Sequence, residues 1–375
     1  MQRNQCRVSR TMHIETVSRA TAVIKRRGVL SRLASISLGL LLVPFWCGEG
    51  SAAESASAAP AVPTAKLLFK SNFGPGVTLG EPSGGGKRDT YRPLIGTDRE
   101  TRYTWPVTAL GSNFSGVQLI APAPPIAPRT LNDYVRAEIR TVPGPSGAPI
   151  SELFLNTIDN GGAGSHGSAQ TDFLIRRSWK DGDITNLYTT FWFKLQPNLV
   201  ASLDPTVSSG NWKSLTEFKT GGYRNTGGGD YRIYLGILKD KAGTPYWHIK
   251  GDDGANRKIT TPAGAEVACP DPVYCPLVQY WREENHTVPV PIDTWSKLEV
   301  YWHRSRGAGG RYWAAINGHV IVDHRGPNMG EFNLPITRIF SMLAYSGGHP
   351  PNESHTTGLE FWDGFPCGDG TPCYK

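Results

Sequence analysis

Apolar and polar residues alternate along much of this chain with a period of two. The alternation is cleanest from Trp295 to Asp323, where Leu298, Val300 and Trp302 interleave with Glu299, Tyr301 and His303. Successive side chains of a strand point to opposite faces, so this spacing predicts a half-buried strand. A Gly-rich turn follows, and then Tyr312 to Ile316 and His319 to Asp323 flank Asn317-Gly318. Asn-Gly fits the two positive-φ positions of a two-residue hairpin turn. Shorter runs rich in Val, Ile, Tyr, Phe and Trp predict further strands over 66–72, 116–120, 134–141, 153–156, 171–177, 187–194, 213–220, 231–239, 246–250, 336–345 and 358–365. No sustained helical period or solenoid repeat occurs. The 43 Gly and 29 Pro punctuate the strands, which is the pattern of an all-β antiparallel sandwich or barrel. Loops are expected over 161–168, 224–230 and 251–281.

Residues 1–53 read as a signal peptide. Lys25, Arg26, Arg27 and Arg32 precede an apolar run from Leu33 to Trp46, and Ser51-Ala52-Ala53 suits cleavage. The run is short for a membrane span and is broken by Pro44. Arg26-Arg27 suits a twin-arginine leader, and an ordinary Sec leader with adjacent arginines is the equal alternative. Residues 54–65 are an Ala/Ser/Pro-rich disordered linker, and residues 66–375 are long enough for one large domain. The expected location is therefore the periplasm or the extracellular space.

Removing the leader changes the charge. Residues 1–53 hold eight Lys/Arg and two Asp/Glu, which leaves 31 basic and 30 acidic residues in the remainder. That balance gives no argument for nucleic acid, or for a membrane partner after leader removal. Four cysteines fall in the exported part, as Cys269/Cys275 and Cys367/Cys373. An even count in an exported chain suggests disulfides, and two local loops are the simplest of three connectivities.

Arg136-Ala137-Glu138-Ile139-Arg140 is the sharpest charged motif. Alternation puts Arg136, Glu138 and Arg140 on one face, where they either neutralise one another in solvent or grip carboxylates in a groove. Glu217 and Lys219 share a face of a second strand. Arg232 and Tyr234 form the more polar side of the next. His248 and Lys250 share a face opposite Trp247, and Glu299, Tyr301 and His303 share another. Trp179, Trp212, Trp247 and Trp281 border loops and could offer stacking platforms. Asp252-Asp253-Gly254-Ala255-Asn256 has oxygen ligands that suit calcium, although a solvated Asp-Gly turn explains it as well. No other cofactor is expected.

The order of these segments resembles the concanavalin A-like jelly rolls, especially the alginate-lyase and heparin-lyase-like polysaccharide lyases. The resemblance spans about residues 130–365. Arg136 to Arg140 stands where those families carry an Arg-[Ser/Thr]-Glu-Leu-Arg strand. Trp295 to Gly318 matches their late strand-turn-strand. Phe340 to Tyr345 matches a strand ending in Tyr, and Phe361-Trp362-Asp363 a final strand. The resemblance implies a jelly roll that meets an acidic polysaccharide, with Tyr345, Arg136 and Arg140 transferred by motif. Two departures bear on activity. Glu217-Phe218-Lys219 replaces a Gln-x-His strand, and Ser341-Met342-Leu343 replaces a Lys-Ala-Gly.

A uronate lyase works by β-elimination. It must neutralise the carboxylate, remove the C5 proton and protonate the leaving O4. Arg136 and Arg140 suit the first task, and Tyr345 suits proton transfer, with His248 as a further catalytic candidate. Glu138, Glu217, Lys219, Tyr301, His303 and Trp247 are the expected substrate contacts. Hydrolysis needs two carboxylates about 5–9.5 Å apart. Glu138 and Glu217 could meet only across strands, each beside a basic residue, so hydrolysis ranks below elimination. A non-catalytic, lectin-like jelly roll is the alternative. The protein is expected to act as a monomer.

Overall fold

The structure, a computed structural model, describes residues 65–83, 89–159, 167–175, 184–220, 231–252, 258–260, 266–268, 279–329, 336–367 and 373. In chain order the strands are β1 Lys66–Ser71, β2 Thr78–Leu79, β3 Asp89–Thr97, β4 Thr104–Trp105, β5 Ser112–Ile120, β6 Val135–Pro143, β7 Pro149–Thr157, β8 Ser168–Ile175 and β9 Asn186–Leu195. After the single-turn helix α1 Leu199–Ser202 come β10 Lys213–Thr220, β11 Arg232–Lys239, β12 Pro245–Asp252, β13 Lys258–Thr260, β14 Glu266–Ala268 and β15 Gln279–Asn285. The chain closes with β16 Ser296–His303, β17 Arg311–Ile316, β18 His319–Arg325, β19 Ile336–Phe340, β20 Leu343–Ala344 and β21 Asn352–Asp363. No helix among the described residues is long and apolar enough to cross a membrane.

Two antiparallel sheets stack as a sandwich. The first runs β18-β17-β16-β9-β21-β7-β6, with β1 also on β21. The second runs β15-β12-β11-β10-β19-β8-β5-β3-β2, with β20 on β8 and β4 on β3. Their inner faces carry the alternating apolar residues and meet through aromatic edges. Phe173 packs on Phe361 at 5.1 Å, and Phe218 on Trp302 at 5.8 Å. The opening hairpin forms as its spacing predicts. Leu298, Val300 and Trp302 are fully buried, and Asn317 and Gly318 turn at φ 48° and 79°.

The strand expected over 336–345 is interrupted. The Thr171 hydroxyl accepts the backbone N–H groups of Ser341 and Met342 at 3.1 and 3.0 Å, so these amides leave the ladder. The chain resumes as β20 against β8 and then turns outward at Tyr345. β3 and β15 were not expected as strands. β3 holds Pro93 and Gly96, and β15 follows Trp281 with the polar run Arg282 to Asn285, so neither shows the alternation of a half-buried strand. The leader, the linker, and Cys269 and Cys275 lie outside the described residues. Cys367 and Cys373 are bonded, with Cα atoms 5.2 Å apart.

Candidate functional site

The outer face of the second sheet carries a belt of charge. Core residues Ile233, Leu235 and Ile237 on β11, and Trp247 and Ile249 on β12, point inward. Strand parity therefore sends Arg232, Tyr234, His248 and Lys250 outward. Register sets them side by side: Glu217 faces Tyr234, Tyr234 faces Lys250, and Gly236 faces His248. Together with Trp212, Ser214, Leu238 and Tyr345 they line a hollow of about 280 Å³.

Ion pairs hold the floor in place. Arg232 Nε and Nη2 donate to the two oxygens of Asp252 at 2.9 and 2.7 Å, and Lys250 Nζ stands 3.0 Å from Asp252. Glu217 is held by Lys219 at 2.9 Å and by Arg232 at 3.7 Å. The belt continues across β19, β8 and β5. Arg338 grips Asp172 and donates to Gln118, which also receives Gln170 and donates to Tyr91. Among the described residues of the belt, four cations (Arg232, Lys250, Lys219, Arg338) meet three carboxylates (Glu217, Asp252, Asp172). This group of side chains carries one more basic than acidic residue, a balance that favours an anionic ligand.

The titratable groups in the hollow are tuned by burial. Burial, then Arg282 and Lys250, push the His248 imidazole down to about 4, so it is neutral at ordinary pH. Its Nδ1 is buried without a hydrogen bond among the described residues, and Glu284 lies 3.6 Å away. Burial also lowers Lys219, with Glu217 opposing, and raises the Tyr234 phenol. The phenol lies over Gly236, where a Cβ would stand 2.2 Å from Tyr234 Oη. Only glycine admits that approach.

Tyr345 is fixed through its backbone and ring. Its carbonyl accepts the Ser214 N–H at 3.0 Å, and its ring meets Trp212 edge-on at 4.6 Å. Ser346 and Gly347 then bond to the Trp212 carbonyl, which turns the chain over the rim of the hollow.

Among the residues expected from sequence, the structure brings Tyr345, His248 and Glu217 into this hollow, with Lys219 beside them. It does not bring Arg136, Glu138 or Arg140 there. They lie on β6, which among the described residues pairs only with β7, in the first sheet. Arg136 and Glu138 stand 3.8 Å apart in solvent. Arg140 binds the fully buried Glu152 at 2.6 Å and lies over Phe154, beside His355. The motif lies on the outer face of the first sheet, apart from Tyr345.

Tyr301 and His303 are also on the first sheet. Both reach the Asn186 side chain, and Phe365 stacks on Tyr301 at 4.8 Å. The C-terminal segment covers this face, as Cys373 N–H donates to Glu299 at 2.7 Å. Trp247 points into the core and donates to the Val288 carbonyl, so it is a packing residue and not a platform. Trp281 is likewise internal, bonded to Tyr231 and stacked on His324. Trp212 does line the hollow. Trp179 lies outside the described residues. Asp252 is already held by Arg232 and Lys250, the other residues of the calcium candidate lie outside the described set, and no metal-binding cluster occurs among the described residues. Sequence reasoning did not select Arg232, Tyr234 or Lys250 as site residues. Their signal was present as polar positions alternating with apolar ones in consecutive strands.

No protein-family model matches the chain, and no curated protein matches it in sequence. Solved structures are similar to it in fold. An endo-β-1,4-glucuronan lyase from the fungus Trichoderma reesei is 12% identical, covering 65% of this chain and 94% of that one, with a TM-score of 0.41. A double mutant of the alginate lyase Aly36B in complex with alginate tetrasaccharide is 15% identical, covering 56% and 80%, with a TM-score of 0.37. A botulinum neurotoxin serotype D/C binding domain is 9% identical, covering 80% and 49%, with a TM-score of 0.36.

Proposed function

We propose that the protein is a polysaccharide lyase that cleaves a uronate-containing polymer by β-elimination in the hollow over β10, β11 and β12. The observation that carries this reading is the placement of Tyr345 and a neutral His248 in one hollow whose floor holds fixed cations. Arg232 and Lys250 supply positive charge for the substrate carboxylate, and their pairing with Asp252 fixes them before substrate arrives. His248 accepts the C5 proton as the C4–C5 double bond forms. The C4–O4 bond breaks, and the Tyr345 hydroxyl gives its proton to O4. An entering carboxylate raises the pKa of His248, which strengthens it as a base at that moment. Both groups are reset by exchange with water.

Hydrolysis is less well served. Glu217 and Asp252 are each engaged in ion pairs with the cations of the floor, rather than facing each other as two carboxylates across a sugar bond. The disulfide between Cys367 and Cys373 suits action in an oxidising compartment, either the periplasm or outside the cell. The test is incubation with alginate, glucuronan and heparin-like polymers while ultraviolet absorbance of unsaturated ends is followed. Absorbance rising on a uronate polymer is expected. Reducing ends without unsaturation would point to hydrolysis, and binding with no product at all to a lectin.

A further inference from the structure

A second hollow, of about 270 Å³, opens on the outer face of the first sheet. Its centre is Trp192 on β9, which is half-buried. Register places Lys297 of β16 on one flank of the indole and Thr357 of β21 on the other. Lys297 Nζ lies 5.7 Å from the ring centroid, and Lys70 and Glu360 pair at 2.8 Å on the rim, near Asn72.

Two features set this hollow apart from ordinary sheet surface. First, the β21 ladder slips between Thr357 and Glu360, and Gly358 occupies the slip at φ 61°. A Cβ there would stand 3.2 Å from Trp192 Cδ1, so glycine keeps the flank of the indole clear. Second, no carboxylate of the described residues lies within ion-pair distance of Lys297 Nζ, whereas Lys70 beside it has Glu360. The hollow therefore offers an aromatic platform, a lysine whose ammonium makes no ion pair among the described residues although Glu360 and Glu299 act on it from farther off, and rim groups that donate and accept hydrogen bonds. A pyranose ring presents C–H groups to such a platform and hydroxyls to such a rim, and Lys297 adds a preference for a carboxylate.

We propose that this hollow is a second binding site for a uronate-containing saccharide, with Trp192 as the stacking platform and Lys297 as the carboxylate partner. It lies on the other sheet from the reacting hollow, so it holds the polymer without taking part in its cleavage. The ligand class rests on the function proposed above, whereas the site itself rests on its own geometry.

Affinity electrophoresis of the full chain through gels containing glucuronan, alginate or a neutral β-glucan tests the proposal. Trp192→Ala and Lys297→Met are each expected to weaken retardation by the acidic polymers about threefold to tenfold, the effect of losing one stacked or charged contact. Elimination from a short oligouronate is expected to stay at the unmodified rate in both variants. If Trp192→Ala fails to fold by thermal melting, Lys297→Met decides. Retardation unchanged in the folded variants, or no retardation of the unmodified chain by either acidic polymer, overturns the site. Equal retardation by the neutral glucan overturns the ligand class. Retardation that depends on Trp192, in a protein that forms no unsaturated ends, leaves this site standing and removes the lyase reading.

Discussion

Tyr345 and His248 carry the chemistry in this account, and each makes a separate prediction. Tyr345→Phe removes one hydroxyl and keeps the ring contact with Trp212. It should lower kcat by about 10²-fold or more with little change in KM, which is the scale of a lost general acid. Burial holds the folded His248 down to about 4, against an ordinary 6.5. Between these values the unfolded chain binds more protons than the folded one. Stability from this group is therefore complete above pH 6.5 and is lost as pH falls through 4, by up to about 3 kcal/mol. His248→Gln should flatten that acid-side loss in melting curves recorded from pH 7 to 4, and should abolish elimination. If the acid limb stays as steep in His248→Gln, the titration belongs to other groups. Arg136 is the contrasting residue. Its partner Glu138 is about half exposed, so Arg136→Ala should change stability by no more than about 0.5 kcal/mol.

Strands with one apolar face were legible, because burial writes a period of two into them. β10 matches its expected limits, and β16, β17 and β18 match within two residues. The first half of β21 was not legible. Asn352, Glu353, Ser354 and His355 precede the strand expected over 358–365, yet they belong to it, and it lies between β7 and β9. Both faces of this first half are polar, since Asn352, Ser354 and Thr356 are buried on one while His355 bonds Glu152 at 3.0 Å on the other, so no alternation of hydrophobicity marks it. The C-terminal segment is an element of a different kind. It lays Phe365 on Tyr301, Trp313 and Tyr188, and the Cys367–Cys373 bond closes it. Replacing both cysteines by serine should cost about 2 kcal/mol, the closure entropy of so short a loop. A lower melting midpoint and increased dye binding by the uncovered aromatics would show it. An unchanged midpoint would mean that packing alone holds the segment.

At the scale of the whole molecule, alternation assigns residues to faces but not faces to sheets. The motif Arg136 to Arg140 and the strands bearing Arg232, Tyr234, His248 and Lys250 look alike in sequence, since each interleaves charge with apolar residues. Only pairing separates them. β6 joins the edge of the first sheet, whereas β10, β11 and β12 lie together in the second and converge with Tyr345. The resemblance of the late segments to jelly-roll lyases grouped Tyr345 with Arg136 and Arg140, whereas the structure sets Tyr345 at the hollow of the second sheet and the two arginines on the first. The central claim is that elimination occurs over β10 to β12 and not at the Arg136 face. The direct measurement is the rate of unsaturated-end formation from a uronate polymer by the unmodified protein, Tyr345→Phe and Arg136→Ala side by side. Product from the unmodified protein and from Arg136→Ala at equal rates, with almost none from Tyr345→Phe, is the predicted result. Loss of product in Arg136→Ala, with Tyr345→Phe still active, would contradict it.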